Sequence, residues 1–397
     1  MRDENMNTMQ RSLRSALCKA RFWIKQSLWM TIVAGFVAPC VSSPGNAAAP
    51  EQIYTIETIA GNGSTGRMPE GGGQAREVSI DLPFGVESGP GGSLLITSAG
   101  GNQVLRVDRG TGRLIPVAGN GRRGYSGDGG LAGAAALNQP YEVRLDSRGN
   151  MLILEMGNHL IRRVDSKTGI ISTLAGDGTA GYRGDGGPSL AARFQSPHSM
   201  ILDERDNIYV ADIGNHRVRR IDARSGRIET VVGNGQNELP QEGGMAKEQP
   251  FRAPQGLGVR GKELWIASYS GHSVWRLNLR AGLIHRVAGT GRQGYTGDGG
   301  DPLNATFDGP RGLWLTQSGI AYVADGENNA IRVIDAGRGR ISTIAGAGPV
   351  RHVYAGDGVL AAGAPIGEPH GVCMFEDGSL AVSDTRNHRV RLLVPVR

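Results

Sequence analysis

The chain has 397 residues, of which 39% are hydrophobic, 5% aromatic and 20% charged, and its formal net charge is +6 at neutral pH. That apolar share is enough to build a large core and excludes a disordered chain. With three cysteines, it is not a disulfide-stapled scaffold either.

In chain order, the first segment is a leader. Arg11, Arg14, Lys19, Arg21 and Lys25 precede an apolar run from Leu28 to Val41, and Ser42-Ser-Pro-Gly-Asn-Ala-Ala-Ala49 then offers the small residues of a cleavage site. This pattern predicts a secretory signal over residues 1–48, a mature start between Ala47 and Pro50, and a secreted or periplasmic protein. A membrane anchor needs ~20 apolar residues, and this run of about 14 is too short. Pro39 before Cys40 argues against a lipid anchor. The leader takes six of 43 basic and two of 37 acidic residues, which leaves 37 against 35. A near-neutral remainder lacks the concentrated positive face that nucleic acid requires. Cys18 and Cys40 go with the leader, so Cys373 has no intramolecular disulfide partner and is expected to be a small buried side chain.

From residue 50 onward the chain repeats. Leu137-Asn-Gln-Pro140, Phe194-Gln-Ser-Pro197, Phe251-Arg-Ala-Pro254, Phe307-Asp-Gly-Pro310 and Ile366-Gly-Glu-Pro369 share one pattern, with Asp81-Leu82-Pro83 as a looser first copy. The prolines stand 57, 57, 57, 56 and 59 residues apart. Ala-Gly-x-Gly keeps the same beat at Ala60, Ala118, Ala175, Val232 (Val for Ala), Ala288 and Ala345. Each unit holds four short apolar runs between turn residues; in the second they are 143–145, 151–154, 160–164 and 170–174. Six such units predict an all-β six-bladed β-propeller with four-stranded antiparallel blades, one domain over residues 50–397. The last repeat stops after its third strand. Thr55-Ile-Glu-Thr-Ile-Ala-Gly61 matches Arg340-Ile-Ser-Thr-Ile-Ala-Gly346, so the N-terminal strand is expected to complete the last blade and leave no free sheet edge.

Tyr209-Val-Ala-Asp-Ile-Gly-Asn-His-Arg-Val-Arg-Arg220, followed by Gly226-Arg-Ile-Glu-Thr-Val-Val-Gly233, resembles an NHL repeat, and the pattern recurs at 153–159, 322–325 and 382–388. The resemblance covers about residues 53–397 and implies a propeller. It leaves function open among adhesion, sensing, RNA binding and, in distant relatives, lyase activity. Ser98 and Ser268 replace the second-strand Asp, and Trp275 takes the third-strand Arg position. The arginines Arg106, Arg162, Arg219, Arg332 and Arg391 recur with the repeat and are read as structural. So are the Asn-His pairs at 158–159, 215–216 and 387–388. In the Gly-Asp-Gly loops, Asp128, Asp185, Asp298 and Asp357 are too few per loop for Ca²⁺ and are expected to bind nearby backbone amides.

Function is sought where the repeats disagree. The residue after each repeat proline starts the innermost strand, and these six positions ring one channel mouth: Phe84, Tyr141, His198, Gln255, Arg311 and His370. Glu142 stands where the other blades have Gly or Ser. The set resembles the inventory of the peptidylglycine amidating lyase propeller, whose zinc is held by three His; a third His is missing from this ring. Two readings follow. In the first, the chain is a scaffold that presents the mouth to a protein, peptide or cell-wall glycan, with no cofactor. In the second, it is a metal-assisted lyase or hydrolase in which His198 and His370 ligate a divalent metal, Tyr141 or Glu142 is the base and Arg311 holds an anionic substrate. The first is preferred because no nucleophile–base–orienter set emerges. The ring is expected to be wet and to contribute little to folding.

Overall fold

The computed structural model describes residues 52–396 apart from Arg67, 351–353 and Ala355. The leader lies outside the described residues. Six antiparallel sheets follow one another around a ring. The second blade shows the unit: Pro140–Leu145 innermost, then Met151–Glu155, Leu160–Val164 and Ile171–Ala175. The inner strand begins three residues earlier than the apolar run alone predicts, because Pro140 itself pairs with Glu155. Two blades gain a two-residue fifth strand at the rim, Gly73–Gln74 and Val359–Leu360.

The ring closes as expected. Tyr54–Ala60 lies antiparallel to Arg389–Pro395, with Tyr54 opposite Pro395 and Ala60 opposite Val390. The chain's two ends thereby share the sixth blade.

The core is six separate clusters, one at each interface between neighbouring blades. Alternate residues of each strand face one neighbour or the other, so both faces of a blade are apolar. The apolar residue three before each repeat proline enters an interface: Leu137, Phe194, Phe251, Phe307 and Ile366 are at most 1% exposed. In the first blade Ile80 does this, completing a copy that looked loose in sequence.

A second repeated device ties blade to blade. Asn102, His159, His216, His272, Asn329 and His388 end the turn after each second strand with φ between 46° and 56°. Asn and His tolerate this left-handed conformation better than most residues. Each accepts, through Oδ1 or Nδ1, the backbone N–H of the residue before the next blade's proline. The donors are Gln139 (3.1 Å), Ser196 (3.2 Å), Ala253 (3.5 Å), Gly309 (3.4 Å), Glu368 (2.8 Å) and, across the closure, Leu82 (3.3 Å). Those donors also have positive φ, and five of them are not glycine, so five of the six latches hold a strained turn in place. The Asn-His pairs therefore act between blades, not only within their own turn.

The recurrent arginines are structural in four blades. Arg162, Arg219, Arg332 and Arg391 have no exposed surface and lie between two carboxylates each. The inner one ends the second strand (Glu155, Asp212, Asp325, Asp384), at 3.4 Å in every case. The outer one is the Gly-Asp-Gly aspartate: Asp128 at 2.5 Å, Asp185 at 2.5 Å, Asp298 at 2.8 Å and Asp357 at 3.3 Å. The aromatic residue of the same loop covers the guanidinium, with Tyr182 at 4.9 Å from Arg219 and Tyr295 at 5.1 Å from Arg332. The expectation that these aspartates bond amides of their own turn is corrected. Asp128 and Asp185 accept the amides of Thr173 and Thr230, 45 residues away on outer strands. Arg106 is also corrected: it is exposed, and Leu105, opposite Ile96, occupies the position that Arg162 holds opposite Ile153.

Candidate binding site at the channel mouth

The six post-proline side chains do converge, because each inner strand delivers one at the same height. Phe84 packs against Tyr141 with ring centroids 4.2 Å apart and against His370 at 3.9 Å. Tyr141 meets His198 edge-on at 4.8 Å, and the two imidazoles stack at 6.1 Å. The carboxamide Nε2 of Gln255 donates to His198 Nε2 at 2.8 Å, and Arg311 donates to His370 Nε2. His370 Nδ1 lies 3.0 Å from the Glu368 carbonyl, which it can reach only as the protonated nitrogen of a neutral ring.

The ring is buried rather than wet, which corrects the expectation for this region. Gln255 is 3% exposed, His370 6%, and Phe84 and Arg311 8% each; only Tyr141 and His198 keep partial solvent contact. The small residues of the next layer let neighbouring inner strands approach closely. A Cβ at Gly256 would collide with the Arg311 carbonyl, and one at Gly371 with that of Phe84. The space left inside the ring is about 20 Å³, room for one or two waters.

Burial also sets the charges. Desolvation, reinforced by Arg311, pushes the His198 pKa down to about 3 and holds His370 well below its ordinary value. Both rings are neutral, and burial raises the Tyr141 phenol. Below the ring, Glu142 bonds Arg144 at 2.9 Å and accepts from Ser199 Oγ at 3.0 Å, while Arg144 also reaches Glu87 at 3.1 Å. Burial raises the Glu142 pKa and pushes Glu87 up to about 7. Glu142 lines the same small space as the ring but is tied into a buried ion cluster, so it is not a free base. Cys373 is fully buried, and desolvation raises its thiol pKa.

A metal would need donors that this arrangement has already used. The Nε2 lone pairs of His198 and His370 accept from Gln255 and Arg311, and no group of three or more His, Cys, Asp or Glu able to hold a metal occurs among the described residues. The donor set does not fit a three-histidine zinc site.

Above Arg311 lies a group that the sequence reasoning missed. Arg311 donates to Glu327 Oε1 at 2.5 Å and to Glu368 Oε1 at 2.6 Å, and Arg386 binds the other oxygen of Glu368. The Tyr269 hydroxyl donates to Glu327 at 3.0 Å, and its ring lies 5.1 Å from the Arg311 guanidinium. The signal was available. In the turn after the second strand, Glu327 and Arg386 stand where the other four blades have Gly100, Gly157, Gly214 and Ser270.

With this geometry in hand, likeness to known proteins can be weighed. A family model described as NHL repeat matches residues 367–391. NHL repeat-containing protein 2 of Gallus gallus is 27% identical over 364 residues, covering 81% of this chain and 49% of its own length. The chain is an NHL-repeat β-propeller. This propeller spans about half the length of the curated relatives it matches. Among solved structures, an auxiliary nutrient binding protein from Bacteroides ovatus superposes with a TM-score of 0.62 at 15% identity, over 87% of this chain and 78% of that one. A streptogramin B lyase superposes with a TM-score of 0.52 at 14% identity, over 87% and 98%. At such identities these likenesses speak for the fold alone. No helix among the described residues is long and apolar enough to cross a membrane.

Proposed function

We propose that this NHL propeller is an exported binding scaffold whose channel-mouth face receives a protein, peptide or glycan partner. The observation that carries this reading is the self-complementary ring. The Nε2 atoms of both histidines and the guanidinium of Arg311 are bonded to neighbouring side chains, and the space between them that water can enter is about 20 Å³. A mouth filled by its own side chains favours recognition at the polar surface above it, where Tyr269, Glu327 and Arg386 break the repeat. The leader motivates export, and the alternation of Gly with functional side chains in that turn motivates the choice of face.

The competing reading is a metal-assisted lyase or hydrolase at the same mouth. Its best support is the stacked, neutral imidazole pair, since neutral imidazole is the form that ligates metal. To separate the two, the purified protein is assayed for bound metal. It is also screened beside the Tyr269→Ala/Arg386→Ala variant on an array of peptides and glycans. The scaffold reading expects array partners whose binding drops at least about tenfold in the variant, as for loss of central aromatic and arginine contacts. Stoichiometric zinc together with metal-dependent turnover would reverse the assignment. Partners that bind the variant unchanged would move docking to another face.

A further inference from the structure

The geometry points to a carboxylate-binding site at the mouth of this propeller, in which the Glu327 side chain occupies the place of a ligand carboxylate on Arg311. This rests on the scaffold reading and adds the chemistry of the ligand.

Three observations converge. The first is that Glu327 is held by side chains alone, whereas both acids on Arg219 are also held by main chain. Asp212 accepts the backbone N–H of Gln195 at 2.7 Å, and Asp185 that of Thr230 at 3.1 Å, so both are pinned by main chain. The bonds recorded for Glu327 come from two side chains, Arg311 and Tyr269. Its side chain is 39% exposed, whereas that of Glu368 on the same guanidinium is 10% exposed. A Glu on a turn tip can swing into water at the cost of those two bonds alone.

The second is charge. Arg311 and Arg386 face Glu327 and Glu368 across the mouth, and the neighbouring imidazoles are uncharged. Moving Glu327 aside leaves two guanidinium groups against one carboxylate. One incoming carboxylate restores the balance, and the planar Arg311 donor is shaped for that group.

The third is the wall of the site. The Glu327 stem leans on Tyr269 and on Gly309, where an added Cβ would lie 2.7 Å from the Tyr269 ring and 2.9 Å from Glu327 Cγ. Tyr269 offers a hydroxyl to the carboxylate and a ring face to the carbon that bears it. The site therefore takes a small organic acid group presented on a chain end. A peptide C-terminus and a sugar acid share that chemistry.

The test is calorimetric titration of N-acetylglycine, standing for a peptide terminus, and glucuronate, standing for a sugar acid, into wild type, Glu327→Ala, Glu327→Gln and Glu327→Ala/Arg311→Ala. Removing the internal competitor should tighten at least one probe about tenfold or more, the scale of one charge-assisted contact. The probe that tightens names the source. Adding Arg311→Ala should return binding to the wild-type level or below. The Gln variant keeps the shape and the Tyr269 contact, so it guards against a folding artefact and should tighten in the same direction. Equal affinities in wild type and both Glu327 variants overturn the inference, as does tightening that survives Arg311→Ala. Because turnover is not read, an enzymatic activity found elsewhere would sink the scaffold reading and leave this site standing. Array partners that still depend on Tyr269 and Arg386, with no tightening in Glu327→Ala, would sink this inference alone.

Discussion

Two kinds of buried arginine occupy this molecule. At the rim, Arg219 lies between Asp212 and Asp185; at the mouth, Arg311 lies between Glu368 and Glu327. In each case one carboxylate is deeply buried and the other partly exposed. The difference is in who else holds the acids. Both acids on Arg219 also accept main-chain amides, from Gln195 and Thr230, that join loop to blade, so moving one breaks the blade. The recorded bonds to the mouth carboxylates come from side chains only. The same ion-pair chemistry thus serves as framework where the backbone takes part and as an exchangeable contact where it does not.

Burial sorts the two acids at Arg219. Desolvation pushes Asp212 up to about 6, while hydrogen bonds from Thr230 and Tyr182, together with Arg219, outweigh desolvation and hold Asp185 below its ordinary value. Asp185 therefore keeps its charge, and Asp212 takes up a proton first as pH falls. Blades one and four lack the buried half of the set, while blade four keeps an outer acid in Glu242, which accepts the Arg286 amide. Ser98 and Ser268 replace the inner acid, and Leu105 and Trp275 replace the arginine. Each serine hydroxyl donates to the carbonyl of Asp81 or Arg252, the loop residue whose counterpart Gln195 offers its N–H to Asp212 elsewhere. The inner acid and the arginine are replaced together, never singly.

The sharpest challenge to this contrast is Arg219→Leu. It strands Asp212 in the interior and should cost about 3–5 kcal/mol in denaturant unfolding. Adding Asp212→Ser, which imitates blades one and four, should recover about half or more. A double variant no more stable than the single would mean that the arginine contributes through packing and not through charge. Next in size is His198→Ala with His370→Ala. The sequence alone suggested a nearly silent change, but burial against Phe84 and the loss of an acceptor for Arg311 now predict about 2–4 kcal/mol by thermal or chemical melting. A loss below ~0.5 kcal/mol would restore the wet-mouth picture.

Arg311→Leu should cost less, about 1–2 kcal/mol, because Glu327 can turn to water and Arg386 still faces Glu368. If it costs as much as Arg219→Leu, the distinction between framework and exchangeable contact fails. The smallest effect belongs to the latches. Burial holds His159, His216 and His272 below the ordinary imidazole pKa, so the unfolded chain binds more protons than the folded one. The latch contribution is complete above about pH 6.5 and drains as pH falls toward the lowered folded values. Replacing all three by Asn, the residue blades one and five use, should flatten the acid loss by ~0.5–1 kcal/mol per site between pH 7.5 and 5. Parallel unfolding curves for the two proteins at both pH values would show that protonation leaves the latches intact.

The fold was legible because its signals are periodic, and a 57-residue beat survives any local ambiguity. Closure was legible for the same reason, since 55–61 repeats 340–346. The partnerships were not. Asp128 and Arg162 are 34 residues apart and each latch spans 37 or more, distances over which spacing alone names no partner. Arg106 misled by a single position, which in a strand is the difference between one face and the other. Burial of the mouth was hidden because it follows from how closely the six inner strands approach, four of them through a glycine next to the ring residue. Glu327 and Arg386 were hidden only by where the comparison of repeats was made.

The seam in the sixth blade has a mechanical consequence. Tyr54 and Pro395 are paired neighbours, so the strands' outer ends emerge together at one corner of the propeller. Tension applied through those two ends would open the ladder one hydrogen bond at a time, like a zipper, instead of loading all its bonds at once in shear. Under pulling force, the element that makes the ring continuous is also where it parts first.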